Sequence, residues 1–124
     1  METQDELKLE IGNEEAATLK PAIVKIMDVK VEEVGTKKSR KVICPSKHPD
    51  AEELINISAV KFESKRKLDT VGLWINKDSK GLIRKGSALA VFMQSQGCKT
   101  IDQLKGRDVM TISDEKGYLC FKAY

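Results

Sequence analysis

The 124-residue sequence predicts a mainly β chain with one helix, an α+β protein whose elements follow the order β-β-β-α-β-β. Three observations carry this. Runs rich in Val, Ile and Thr alternate with a period of two both before residue 76 and after residue 106. One segment only, Ser87 to Gly97, combines helical apolar spacing with a capping serine and a terminal glycine. The intervening stretches collect Gly, Pro, Lys and Asp, which favour turns.

The first strand region is LKPAIVKIMDVKVEEV, Leu19 to Val34. Its apolar positions change parity, from Val24 and Ile26 to Met27, Val29 and Val31. A one-residue slip of this kind predicts a bulge that bends the strand. GTKKSRK, Gly35 to Lys41, reads as a polar connecting loop, and KVIC, Lys41 to Cys44, starts a second strand. PSKHPDAEE interrupts that strand with two prolines, and LINISAVKF, Leu54 to Phe62, resumes it. ESKRK is a second basic loop, and LDTVGLWI, Leu68 to Ile75, is the third strand region. In its alternation Val71, Leu73 and Ile75 face the core, leaving Thr70, Gly72 and Trp74 on the outer side.

Ser87 caps a helix of about ten residues in which Leu89, Phe92, Met93 and Gln96 recur at helical spacing, closed by Gly97. TIDQL, Thr100 to Leu104, reads as one further capped turn closed by Gly106. RDVMTIS and YLCFKAY, joined by DEKG, form a hairpin whose glycine sits where a bulged turn needs a left-handed residue.

Composition bounds the class. A content of 40% hydrophobic and 33% charged residues is that of a soluble domain, and no apolar run approaches the roughly 18 to 20 residues that span a bilayer. No membrane partner is expected. The acidic start, METQDELKLEIGNEE, lacks the basic and apolar parts of a secretory signal, so a cytoplasmic location is expected. Cys44, Cys98 and Cys120 are widely spaced and odd in number, which favours free thiols. Cys44 and the single histidine, His48, form a C-x3-H pair. A zinc site needs more ligands at defined spacing and a nucleophilic pair needs an orienting group, so neither a metal nor a catalytic residue is assigned. No cofactor motif is present, and the chain is not expected to be an enzyme.

The charge is unevenly divided. Residues 1 to 15 carry six acids and one lysine, a net of −5, whereas the remainder carries +8. The expected organisation is an acidic, flexible arm over residues 1–18 and one barrel domain over residues 19–124, with the arm contacting the basic surface or a protein partner.

The element order resembles that of a five-stranded OB-like Greek-key barrel, in which one helix between the third and fourth strands caps an end. A narrower resemblance lies in GLWINKDSKGLIRKGSALAVFMQSQGCKTIDQLKGRDVMTI, which is similar to virus- and phage-encoded OB-type proteins that bind single-stranded nucleic acid. There a strand ends in a bulky residue plus Asn, here Trp74, Ile75 and Asn76. A helix ending in glycine follows, here at Gly97, and then L-x-G-[KR], here Leu104, Gly106 and Arg107. The resemblance gives Leu104 and Gly106 structural roles, and it implies a ligand of single-stranded DNA or RNA.

Such barrels follow phosphates with basic residues and stack bases on aromatic faces. The material here is Lys37, Lys38 and Arg40 in the first loop, Lys65 and Arg66 in the second, Arg84 after the third strand, and Trp74 and Tyr118 as platforms. Trp74 has a second reading, as a core or subunit-interface residue, because tryptophan is highly buried on average. Two function classes therefore stand: a non-enzymatic module for single-stranded nucleic acid, and a protein-interaction or homo-oligomeric assembly module with no nucleic-acid ligand.

Overall fold

The computed structural model describes residues 19–124 together with Leu7 and Glu10; the expected flexibility of residues 1–18 lies outside the described residues. Among the described residues the chain forms eight strands, where five were expected, and one α-helix. The strands are β1 (Ile23–Ile26), β2 (Lys30–Val34), β3 (Ser39–Lys47), β4 (Ile55–Ile57), β5 (Ala59–Ser64), β6 (Lys67–Gly72), β7 (Asp108–Ser113) and β8 (Leu119–Ala123). Helix α1 (Ala88–Ser95) and a short 3-10 turn (Ile101–Leu104) separate β6 from β7. The strands make one sheet in the order β2-β3-β1-β7-β8-β5-β6, with β4 added to β3, and the sheet curls into a half-barrel.

The strand count rises because regular pairing breaks inside the long runs. At the parity change the N–H groups of Met27 and Asp28 both donate to the Pro45 carbonyl, at 2.8 and 3.3 Å. Two residues thus oppose one, which is a bulge, and it divides β1 from β2. Pro45 does not end its strand: β3 continues to Lys47, since a proline beside a bulge removes no ladder hydrogen bond that the fold requires. The expected loop also shortens, so that Ser39 and Arg40 join Lys41 in β3. Ser58 separates β4, which pairs with β3, from β5, which runs parallel to β8.

Beyond Gly72 the chain leaves β5. Leu73 N–H donates to Ser58 (2.8 Å), Leu73 C=O accepts from Val42 (2.8 Å), and Ile75 N–H donates to Arg40 (2.9 Å). The third strand region is therefore shared between two partners. This corrects the expected facing of Val71, which lies 37% exposed on the edge strand, whereas Leu73 is fully buried and Ile75 packs against the core.

Helix α1 closes the core. Ser87 Oγ accepts from the Ala90 N–H at 3.2 Å, and Gly97 adopts φ +67°, the left-handed stop that a residue with a Cβ resists. Leu89, Phe92 and Met93 are buried, and the Phe92 ring stacks on Phe121 of β8 with centroids 4.6 Å apart. Truncating Phe92 would cost about 3 to 5 kcal/mol in lost transfer energy and cavity. Leu104 is fully buried, and the Gly106 N–H donates to the Ile26 carbonyl at 2.7 Å, so the L-x-G segment joins the turn to β1.

Candidate nucleic-acid interface

Lys41 and Trp74 oppose each other across the bridge between β3 and the segment after β6. The Lys41 ammonium lies 4.9 Å from the Trp74 ring centroid, a cation–π distance. Gly72 is the floor of this pair. A Cβ at that position would stand 2.7 Å from Trp74 Nε1 and 2.9 Å from Lys41 Cε, so only glycine allows the indole to lie where it does. Trp74 is half-buried: it is neither a core residue nor a free platform.

Further along the same outer face, Lys61 of β5 opposes Thr70 of β6 on one side and Lys122 of β8 on the other. Val60, Phe62 and Phe121 point inward, which turns Lys61 and Lys122 outward. The Lys122 ammonium sits 4.8 Å from the Tyr124 ring centroid. Two lysines side by side on neighbouring strands repel one another and attract a polyanion. The ion pairs found among the described residues, Lys25–Asp108 and Arg40–Glu33, involve neither of them.

The eight residues singled out from the sequence fall into separate places. Lys37 and Lys38 occupy the exposed turn between β2 and β3, with Lys38 left-handed at φ +52°. Arg40 stands at the start of β3, 4.0 Å from Glu33. Arg84 donates from Nη2 to the Lys77 carbonyl at 3.1 Å, and its N–H donates to Asn76, which brings it beside the segment that follows Trp74. These four residues and Trp74 therefore share one end of the sheet. Lys65 and Arg66 are the two central residues of the β5–β6 hairpin turn, about 20 Å along the strand from Gly72. Tyr118 is 70% exposed and lines a groove of about 480 Å³ with Leu19, Ile57 and Lys116. Leu73, the neighbour of Trp74, bonds to Ser58, whereas Tyr118 shares its groove with Ile57.

Four residues were missed as site candidates: Lys41, Lys61, Lys122 and Tyr124. The alternation of AVKFES and LCFKAY holds the signal for an outward Lys61, Lys122 and Tyr124. That Lys61 and Lys122 are neighbours follows only from the parallel pairing of β5 with β8.

The groups of the C-x3-H pair are engaged elsewhere. His48 is fully buried, its Nε2–H donates to the Lys20 carbonyl at 2.7 Å, and its Nδ1 accepts from the Asp50 N–H at 3.0 Å. Both ring nitrogens of the neutral imidazole are satisfied. Burial pushes the Cys44 thiol up to about 12. Burial, aided by the charges of Asp114 and Glu115, pushes Cys120 up to about 11 against the opposing effect of Lys61. Neither supplies a thiolate near neutral pH. No group of three or more metal-ligating side chains occurs among the described residues, and no described helix is long and apolar enough to cross a membrane.

No protein-family model, curated protein or solved structure matches the chain.

Proposed function

We propose that the chain is a non-enzymatic module of OB type that binds single-stranded nucleic acid on the outer face of its curled sheet. The observation that carries this reading is the set of basic and aromatic pairs on one face: Lys41 and Trp74 over Gly72, Lys61 beside Lys122, and Lys122 over Tyr124. Lysines spaced along extended strands suit a phosphate chain, and indole and phenol faces between them suit bases, each stack contributing roughly 1 to 3 kcal/mol. The OB reading draws support from a bulged first strand, a parallel pair, and a helix packed into the core between the third strand region and the last hairpin. The additional β5–β6 hairpin is a departure from five strands.

The test is a titration with a single-stranded oligonucleotide at two salt concentrations, read by Trp74 fluorescence. Binding quenches the emission, and affinity falls steeply with salt as counterions are released. Changing both Lys61 and Lys122 to Ala lowers the salt slope by about 2, one for each lost phosphate contact. An absence of quenching at low salt refutes the reading.

One observation favours the alternative of assembly. Ile23 and Met110 oppose each other on β1 and β7 and are 62% and 40% exposed. An apolar pair on an outer face suits contact with a second protein surface. A concentration-dependent mass in light scattering, abolished by Ile23→Lys, would support that reading.

A further inference from the structure

We propose that the apolar groove beside helix α1 is a docking site for a short acidic segment of a partner protein, held by apolar anchors in the groove and by lysines around it. The groove lies between α1, the turn around Gly81 and the chain from Cys98 to Asp102, and encloses about 730 Å³. Binding cavities typically measure about 300 to 1,000 Å³. The apolar lining comes from Leu82, Ile83, Ala90, Met93 and Ile101. Met93 is buried, whereas Leu82 is 63% exposed.

The exposure of Leu82 is built into the local backbone. Asp78 Oδ1 accepts from the Lys80 and Leu82 N–H groups at 2.9 and 3.0 Å, the Asp78 N–H donates to the Leu82 carbonyl at 2.7 Å, and Gly81 takes φ +79°. Pairing of Lys77 with Ile83 closes the turn. An Asp-stabilised turn with a left-handed glycine is a fixed local structure, so Leu82 is held outward and does not fold onto α1. A concave apolar surface walled by an exposed side chain on a fixed turn is suited to contact with another molecule.

The occupant follows from charge and from the lining. Residues 77–85 carry four basic residues and one acid, a net of +3, and residues 98–107 carry three and one, a net of +2. The α1 wall, ALAVFMQS, is uncharged. Both acids are engaged within their own turns, Asp78 as above and Asp102 as acceptor for the Thr100 hydroxyl. The ion pairs found among the described residues, Lys25–Asp108 and Arg40–Glu33, include none of these cations. Lys99 itself lines the groove. The surroundings therefore attract an anionic partner. A nucleic acid does not suit the groove, because none of the described residues lining it is aromatic and bases would find no stacking face. An acidic peptide with apolar anchors meets both the lining and the cations, as amphipathic segments do in hydrophobic grooves. Met93 suits such an occupant because its unbranched side chain adapts to the anchor. The lining shares no residue with the Lys61 and Lys122 face, so the inference does not rest on the nucleic-acid reading.

The test selects peptides of about twelve residues from a random displayed library on the 124-residue chain and measures the affinity of the enriched sequences by fluorescence anisotropy. The enriched peptides are expected to combine an excess of Asp and Glu with several of Leu, Ile, Met or Phe. Leu82→Ser removes an apolar wall and Lys99→Glu reverses a charge, both at exposed positions, so neither disturbs the core. Leu82→Ser is expected to weaken binding about tenfold, and Lys99→Glu about fivefold at low salt, the second effect shrinking as salt rises. Failure of the library to enrich any sequence would overturn the inference, as would enriched peptides without an acidic excess. Unchanged affinity for either variant would also overturn it. Peptides that bind Leu82→Ser unchanged but are lost when Lys61 and Lys122 are both changed to Ala would move the acidic partner to the other face and overturn the site.

Discussion

Replacing Gly72 by Ala tests the seat of Trp74 directly. The Gly72 backbone lies outside the left-handed region, so alanine meets no backbone strain and the substitution probes contact alone. Its Cβ would fall 2.7 Å from Trp74 Nε1 and 2.9 Å from Lys41 Cε, both inside the contact limit. The lysine end can swing away, whereas the indole is rigid and must be displaced bodily. Overpacking of this kind costs about 1 to 3 kcal/mol, and loss of an exposed cation–π contact adds about 0.5 to 1 kcal/mol. Restricting the unfolded chain returns about 0.4 to 1 kcal/mol. The expected net effect is destabilisation by about 2 kcal/mol, within a range of about 0.5 to 3.5 kcal/mol. Urea denaturation measures it through the midpoint at constant slope. Tryptophan emission, with Trp74 as the sole reporter, is expected to shift to longer wavelength as the ring gains solvent. Unchanged stability together with unchanged emission would refute the seating of the indole on Gly72.

Other outcomes follow from particular residues. Lys65 and Arg66 hold φ +50° and +69° in a two-residue hairpin turn, a conformation that Asn-Gly adopts far more readily. Changing the pair to Asn-Gly should stabilise the protein by about 1 to 2 kcal/mol in urea denaturation, and an unchanged midpoint would count against the turn geometry. His48→Ala removes two hydrogen bonds from a fully buried site and should cost about 3 kcal/mol, with the chain before Ala22 becoming more susceptible to proteolysis. The Cys44 and Cys120 thiols are held at about 12 and about 11, above the ordinary value of 9.0, so the folded state binds their protons more tightly than the unfolded state. Their stabilising effect is complete below pH 9 and is lost as pH rises through about 11 to 12. Denaturant midpoints measured from pH 8 to 11 should fall more steeply for the native sequence than for a variant with both cysteines changed to Ala.

The elements legible in the sequence are those decided within a few neighbouring residues. The serine cap and glycine stop of α1, the bulge at Met27 and Asp28, and the tight turn at Gly117 each depend on local backbone preference and short hydrogen bonds. Strand boundaries were less legible: Pro45 reads as a break in isolation, but its carbonyl serves the bulge opposite and its strand continues. Leu68 to Ile75 reads as one strand because alternation cannot show that the chain changes partners at Gly72.

A mainly β chain with one capped helix, an acidic first segment and a basic remainder can be read along the chain, because periodicity, caps and charge are properties of residues taken in order. Where Trp74 rests and which lysines stand together depend on the packing of distant segments. Parallel pairing brings Lys61 beside Lys122 across sixty-one positions of sequence, and an antiparallel bridge lays Lys41 against Trp74. Such juxtapositions arise from sheet register between distant segments, and no local pattern encodes them.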